Sequence, residues 1–433
     1  RIGQITREST VEEPYRSYFI KTAEFIQMIS EVKSLVDADA WNNQSLEELK
    51  LWNERLYEDV LPSHYETSYA NPSYAVRQLG VEFGSKLSFL YEEIRGQIPF
   101  AIRMMKEILT ASKLDDEKRL KEILSMTKTR LQDRFLSAGH SAAALRAMSY
   151  KSPISKFKDT TNGIEYYQNI REMEEHFDEK KEEIISGLKA LSELLFRKGN
   201  VMISYTASRE GLAVLEEEIG SLKEALYPER TPESRCILHC EKKNEGFKTS
   251  SKVQFAAKAG NFIDAGEEYN GALQILKVIM SYEYLWINIR VKGGAYGCMS
   301  NFNRIGEGYF VSYRDPNLGR TLEIYDGVPE YLENFTVSER DMTKYIIGTI
   351  SNIDQPMTPA TKGDRSMNLY MNHVSAEMIR KEREQILTAN QEDIRALAGV
   401  ARAVLANDQI CVIGNEAKIE EEKELFVTVE NLF

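Results

Sequence analysis

Four cysteines and five histidines in 433 residues leave little from which sulfur or metal chemistry could be built. So few cysteines make no disulfide framework. No run approaches the roughly eighteen apolar residues of a membrane span, and the opening RIGQITREST does not read as a signal peptide. The expectation is therefore a cytoplasmic protein with no membrane partner. A formal net charge of −12 argues against nucleic-acid binding, which relies on a basic face. Neither a phosphate-binding loop nor a dinucleotide fingerprint is present, because Gly293-Gly294 with Gly297 lacks the strand before and helix after that phosphate binding requires. Cys236, His239 and Cys240 place three soft ligands close together, but no second cluster completes a structural zinc site. Cys298 and Cys411 read as small core residues on strands, with no histidine placed to activate either thiol.

What is present is mostly helix. Residues 1–97 carry apolar side chains at three- and four-residue spacing, as in YFIKTAEFIQMISEVKSLV, and show no chemistry. IPFAIRMMKEILTAS and DDEKRLKEILSMTKTRLQDRF continue the pattern, with Asp115 placed to cap the second helix. SYKSPISKFKDTTNG reads as a polar loop, residues 164–197 as one or two charged helices, and VMISYTA as a lone strand from Val201 to Ala207. The prolines, charges and glycine of YPERTPESRCILHCEKKNEG mark a linker. Beyond it, SKVQFAAKA, a hairpin and QICVIG supply strands, and the remainder is helical.

The densest information lies in LWINIRVKGGAYGCMSNFNRIGEGYFVSYRDPN, from Leu285 to Asn317. A helix that is apolar on every side runs from Ala272 toward Arg290 and should stop at Gly293-Gly294, where glycine can supply a positive φ. Two short strands around Ile305-Gly306-Glu307-Gly308 follow, giving helix, double-glycine turn and hairpin. R-V-K-G-G-A-Y-G followed by a hairpin and Y-R-D-P-N resembles the C-terminal half of the presequence-protease branch of the insulinase (pitrilysin) zinc metallopeptidases. The similarity runs from about Ile98 to the C-terminus, includes FLSAGHSAAALRAMSY, and leaves out residues 1–97.

The resemblance implies tandem α+β units and a substrate-binding role for Arg290 and Tyr296, which in the family hold the substrate backbone near the scissile bond. A phenol can donate to a carbonyl oxygen that gains negative charge, and a guanidinium can grip a carbonyl or carboxylate. The pair should face one solvent-open concavity. A peptidase of this family also needs zinc, held by an inverted H-x-x-E-H helix. That motif is missing: in His176-Phe177-Asp178-Glu179-Lys180 the second histidine is lysine, which is protonated at neutral pH and cannot replace a neutral imidazole. No catalytic residue and no metal ligand is therefore assigned. Zinc is expected in a catalytic half outside this chain, and the chain alone should be inactive.

The fold expected is helix-rich α+β, with pitrilysin-type units built on a mainly antiparallel sheet. Residues 1–97 form a helical region of unknown role, 98–227 an incomplete, mostly helical unit, 228–246 a linker and 247–433 a C-terminal α+β unit. The function expected is the substrate-binding, noncatalytic half of a zinc metallopeptidase that degrades unfolded peptides. Its partners would be those peptides and a catalytic N-terminal half carrying the zinc site. The rivals are a structural or regulatory protein that keeps the fold without chemistry, and a helical partner-binding module.

Overall fold

The computed structural model describes residues 84–228 and 238–433, so most of the helical region expected before residue 98, and Cys236, lie outside the described residues. The chain divides into two compact units, one of residues 1–104 with 213–218 and one of residues 105–212 with 219–433. The second carries the sheet.

Its helical part comprises the end of α1 (Gly84–Ala111), then α2 (Glu117–Ser149), α3 (Pro153–Asn162), α4 (Ile164–Glu175), α5 (Phe177–Leu195) and parts of α6 (Arg209–Ala225). The cap of α2 is Asp116 rather than Asp115, its carboxylate accepting from the Arg119 amide at 2.9 Å. In the second half of α2 the small side chains of Ala142, Ala143, Ala144 and Ala147 are buried, which lets the helix lie close on the sheet. A Cβ added at Gly139 would come within 2.5 Å of the Phe255 ring. The helix kinks just before this contact, at Ala138 (φ −139°, ψ 36°).

Two sequence expectations fail in this region. The segment read as a polar loop contains α3, because Ser152 caps it, Pro153 supplies the preset φ of a first turn, and the polar Ser155 and Asp159 are buried against partners elsewhere in the fold. The strand expected from Val201 to Ala207 is absent among the described residues, and Met202 and Ile203 are exposed. Strand preference is largely a preference for packed neighbours on a pleated surface, and none of the sheet's strands runs beside this segment.

The sheet has six strands, β1 (Glu245–Thr249), β2 (Phe255–Asn261), β3 (Gly297–Phe302), β4 (Glu307–Tyr313), β5 (Gln409–Asn415) and β6 (Thr428–Asn431), in the order β3-β4-β2-β5-β1-β6. It is mixed: β2 pairs antiparallel with β4 and β5, as β3 does with β4, whereas β1 runs parallel to both β5 and β6. Side chains alternate between two cores. Phe255, Ala257, Val311, Cys411 and Ile413 face α2 and α4, while Ala256, Phe310, Ile410 and Val412 join a second core on the opposite face. That second face is covered by α7 (Ala272–Tyr282), α8 (Gly319–Asp326), α9 (Val328–Glu333), α10 (Glu339–Ile353), α12 (Ala376–Leu387), α13 (Gln391–Ala396), α14 (Ala398–Ala406) and α15 (Glu416–Glu421), with α11 (Pro359–Met371) more exposed. Residues 117–175 thus have no sheet of their own. They form one layer on the sheet whose strands lie after residue 244.

A buried ionic network ties that layer down. Arg146 of α2 donates to both carboxylate oxygens of Glu245 on β1, at 2.5 and 2.8 Å, and to Asp159 of α3 at 2.5 Å. The Tyr150 hydroxyl donates to Glu245 at 2.9 Å, and Asp159 accepts from the Ile164 amide at 2.9 Å. Burial alone would lower the arginine's pKa, but the hydrogen bonds and charge of Glu245 and Asp159 more than reverse this and keep Arg146 cationic. Among the described residues, no helix is long and apolar enough to cross a membrane.

Candidate functional site

The buried helix does not run unbroken to Arg290. It ends as α7 at Tyr282, is interrupted at Glu283 (φ −112°, ψ −100°), and resumes as a single π-helical turn, Trp286–Val291, that carries Arg290. Such turns are uncommon and concentrate at functional sites. The chain then reverses. Gly294 adopts φ +83°, which only glycine takes without cost, while the Gly294 and Ala295 amides donate back to the carbonyls of Arg290 (2.9 Å) and Ile289 (3.1 Å). At Gly293 an added Cβ would lie 2.5 Å from the Ile289 carbonyl oxygen.

This reversal brings Arg290 and Tyr296 together. The guanidinium carbon lies 4.3 Å from the Trp286 ring centroid and 5.2 Å from that of Tyr296, and Nη1 donates to the Tyr296 carbonyl. Tyr296 is 63% exposed, so its ring is available at the surface while its backbone is fixed. Its amide donates to the Tyr313 carbonyl at 3.0 Å, and its ring meets Tyr313 edge-on at 5.6 Å. Tyr313 is itself held by α2: its hydroxyl donates to the Ser137 carbonyl at 3.1 Å and its ring packs edge-on to His140 at 4.9 Å. Burial lowers the pKa of His140, whose buried Nδ1 has no partner among the described residues.

Behind the turn lies Asp315, fully buried just past β4. Its carboxylate accepts from the Thr321 hydroxyl at 2.7 Å and the Asn317 amide at 2.9 Å. Burial raises its pKa, and the hydrogen bonds from Asn317, Thr321 and Ser312 oppose that rise. Cys298 is buried on β3 and its thiol is pushed up to about 12 by burial, so it stays protonated. Cys411 is buried on β5 and is held neutral in the same way.

Sequence reading missed the partners of the pair. Trp286 stands four residues before Arg290, one helical turn away, and that spacing was the available signal. Tyr313, Asp315 and Asn317 come from a distant strand end and gave none, although they fall within Y-R-D-P-N.

The residues present do not fit a zinc ion. Lys180, in the place of a second histidine ligand, donates to Glu172, whose hydrogen bond and charge hold the ammonium's pKa up. His176 ends α4 with its side chain about half exposed, and its nearest acid is Glu179 at 3.7 Å. Among the described residues, no group of three or more histidine, cysteine, aspartate or glutamate side chains is arranged to hold a metal.

Two family models match the chain, one described as the PreP C-terminal domain over residues 244–416 and one as a region associated with the M16 peptidases of subfamily C over residues 76–173. Among curated relatives, Protein HypA of Clostridium perfringens is 38% identical over 351 residues, which are 81% of this chain and 36% of the relative. Presequence protease 1, chloroplastic/mitochondrial, of Arabidopsis thaliana is 29% identical over 348 residues, 77% of this chain and 32% of that protein. The chain spans about a third of the length of these relatives. A solved structure described as a peptidase M16 inactive domain from Pseudomonas fluorescens aligns over 73% of this chain and 74% of that one, at 13% identity and a TM-score of 0.47.

Proposed function

Since the chain belongs to the pitrilysin metallopeptidases, as the C-terminal, noncatalytic half of a presequence-protease-like member, we propose that it is the substrate-binding wall of a peptidase acting on unfolded peptides. The observation that carries this reading is the surface pairing of Arg290 with Tyr296 across a glycine turn, braced by Trp286 and Tyr313. An arginine that served only as a helix-terminal charge would have no use for stacking between two rings. Here the stacking holds a planar guanidinium in one orientation, and a pre-oriented donor loses less entropy on binding.

In this reading Arg290 uses its donors beyond the one given to Tyr296 to hold a peptide carbonyl or a carboxylate. The Tyr296 hydroxyl donates to the carbonyl oxygen as that oxygen gains negative charge. Neither residue removes a proton or supplies a nucleophile, so both tasks fall to a partner half. No step through a metal is assigned to this chain, because its residues do not fit one.

The test pairs a catalytic half with this chain and compares Tyr296→Phe with the wild type. Cleavage of an unstructured peptide should slow by about one to three powers of ten, the range for loss of one oxyanion donor, with the melting temperature unchanged because the side chain is exposed. Arg290→Ala should chiefly weaken peptide binding. Unchanged kinetics in Tyr296→Phe would remove the assignment. So would chelator-sensitive peptide cleavage by the chain alone with one tightly bound zinc.

A further inference from the structure

The Gly293-Gly294 turn poses a mechanical problem. It must hold Arg290 and Trp286 on one side and Tyr296 on the other, yet neither glycine has a side chain to pack, and glycine is the residue with most conformational freedom to lose. The intrinsic bonds of the turn, from Gly294 to Arg290 and from Ala295 to Ile289, leave the Gly293 carbonyl unaccounted for. It is met from outside. Asn317 donates to it through Nδ2 at 2.7 Å, across 24 residues of sequence.

Asn317 is in turn fixed. Its backbone amide donates to the Asp315 carboxylate at 2.9 Å, and the same Nδ2 lies 3.4 Å from that carboxylate. Asp315 is locked by Thr321, and its backbone exchanges two hydrogen bonds of 2.8 Å with Gln254 beside β2. Pro316 between them comes up against Gly294, its Cγ 3.6 Å from where a Cβ would stand, and its carbonyl accepts from Gln254 Nε2 at 3.3 Å. The glycine turn is thereby clamped to the sheet through a buried carboxylate and one carboxamide, and the second anchor is the pairing of Tyr296 with the end of β4.

We propose that Asn317, oriented by Asp315, is a positioning residue for peptide binding, which sets the distance between Arg290 and Tyr296 by holding the Gly293 carbonyl. The inference rests on the substrate-contact reading of that pair. Asn317 touches no substrate in it. Its effect on peptide must pass entirely through the turn.

The experiment is a double-mutant cycle on this chain with Asn317→Ala, Tyr296→Ala and the double variant, read in two ways. Hydrogen exchange reports the turn directly: amides of residues 289–296 in Asn317→Ala should exchange about tenfold faster, the equivalent of one net hydrogen bond, while the rest of the sheet keeps its protection. Fluorescence anisotropy with a fluorescein-labelled, unstructured peptide of about 25 residues reports binding. Asn317→Ala should weaken it about tenfold in the wild-type background and not at all in Tyr296→Ala, because a residue that acts only through the pair has nothing left to position. Losses that add in the double variant would overturn the proposal, as a merely structural residue would behave that way. Unchanged exchange in 289–296 would also overturn it. If Tyr296→Ala leaves peptide affinity intact, or the wild type does not bind the peptide, the substrate-contact reading fails instead, and with it the link to binding, while the exchange data separately decide whether Asn317 holds the turn.

Discussion

Replacing Arg146 by alanine should be among the most damaging single changes in the sheet unit. The guanidinium is 5% exposed and divides three hydrogen bonds between Glu245, 4% exposed, and Asp159, fully buried. Its removal leaves two carboxylates in the interior facing the same void. Tyr150 and the Ile164 amide offer one hydrogen bond each, which is too little to replace a cation. Breaking a buried pair by deleting one partner costs about 3–5 kcal/mol. A large share of a typical domain's net stability of about 5–15 kcal/mol would be lost. The assay is equilibrium urea unfolding followed by near- and far-ultraviolet circular dichroism. Lys121→Ala serves as control, since its partner Asp178 stands at 3.5 Å and both side chains are more than half exposed; there the cost should stay below about 1 kcal/mol. Near-ultraviolet signal should also fall first in Arg146→Ala, because the network joins the helical layer to β1. A loss under about 1 kcal/mol for Arg146→Ala would refute the reasoning, for it would mean that the two carboxylates find water or protons at little cost.

Gly294→Ala should destabilise by about 1–2 kcal/mol, the cost of a left-handed conformation for a residue with a Cβ, and calorimetry showing no loss would mean the turn can relax. Gly139→Ala forces a Cβ to within 2.5 Å of the Phe255 ring and should cost about 1–3 kcal/mol by overpacking; an unchanged unfolding midpoint would show that α2 can lift off the sheet. His140 has a pKa depressed in the fold by burial, so its contribution to stability is present above the unfolded value near 6.5 and is lost as pH falls through the folded value. His140→Phe should therefore flatten the decline in melting temperature between about pH 7 and pH 5, and an identical decline in both proteins would exclude the histidine as its source.

The hairpin β3–β4 was legible because its glycines and its alternation are local. β1 was not, since EGFKT begins with a glutamate that no local rule would bury. Its neutralising arginine lies 99 residues away. β6 is a short, half-exposed edge with an acid and an asparagine, which reads as coil. The false strand at Val201 shows the converse, β-branched residues with no neighbouring strand to reward them. The helix before Arg290 was correct in its buried part, but the break at Glu283 and the π turn depend on how α7 meets the sheet rather than on residue type. Arg290 and Tyr296 were found through family resemblance. Their spacing alone suggests only a helix end and a packed ring, and the clamp at Asp315 and Asn317 exists only once β4 has returned beside β2.

The placement of β1 has a consequence for synthesis of the chain. Its two neighbours in the sheet are β5 and β6, and the nearer of them in sequence starts at Gln409. At ribosomal speeds of about 5–20 residues per second, β1 would emerge and wait roughly ten to thirty seconds for a partner. Throughout that interval α2 carries a bare alanine face meant for the sheet, and Arg146 cannot yet meet its buried Glu245 in a dry setting. The parallel pairs close last, and they do so over the longest loop in the unit. A nascent chain in this state exposes an unpaired strand and an apolar helix surface together, the combination that holding chaperones and misassembled dimers compete for.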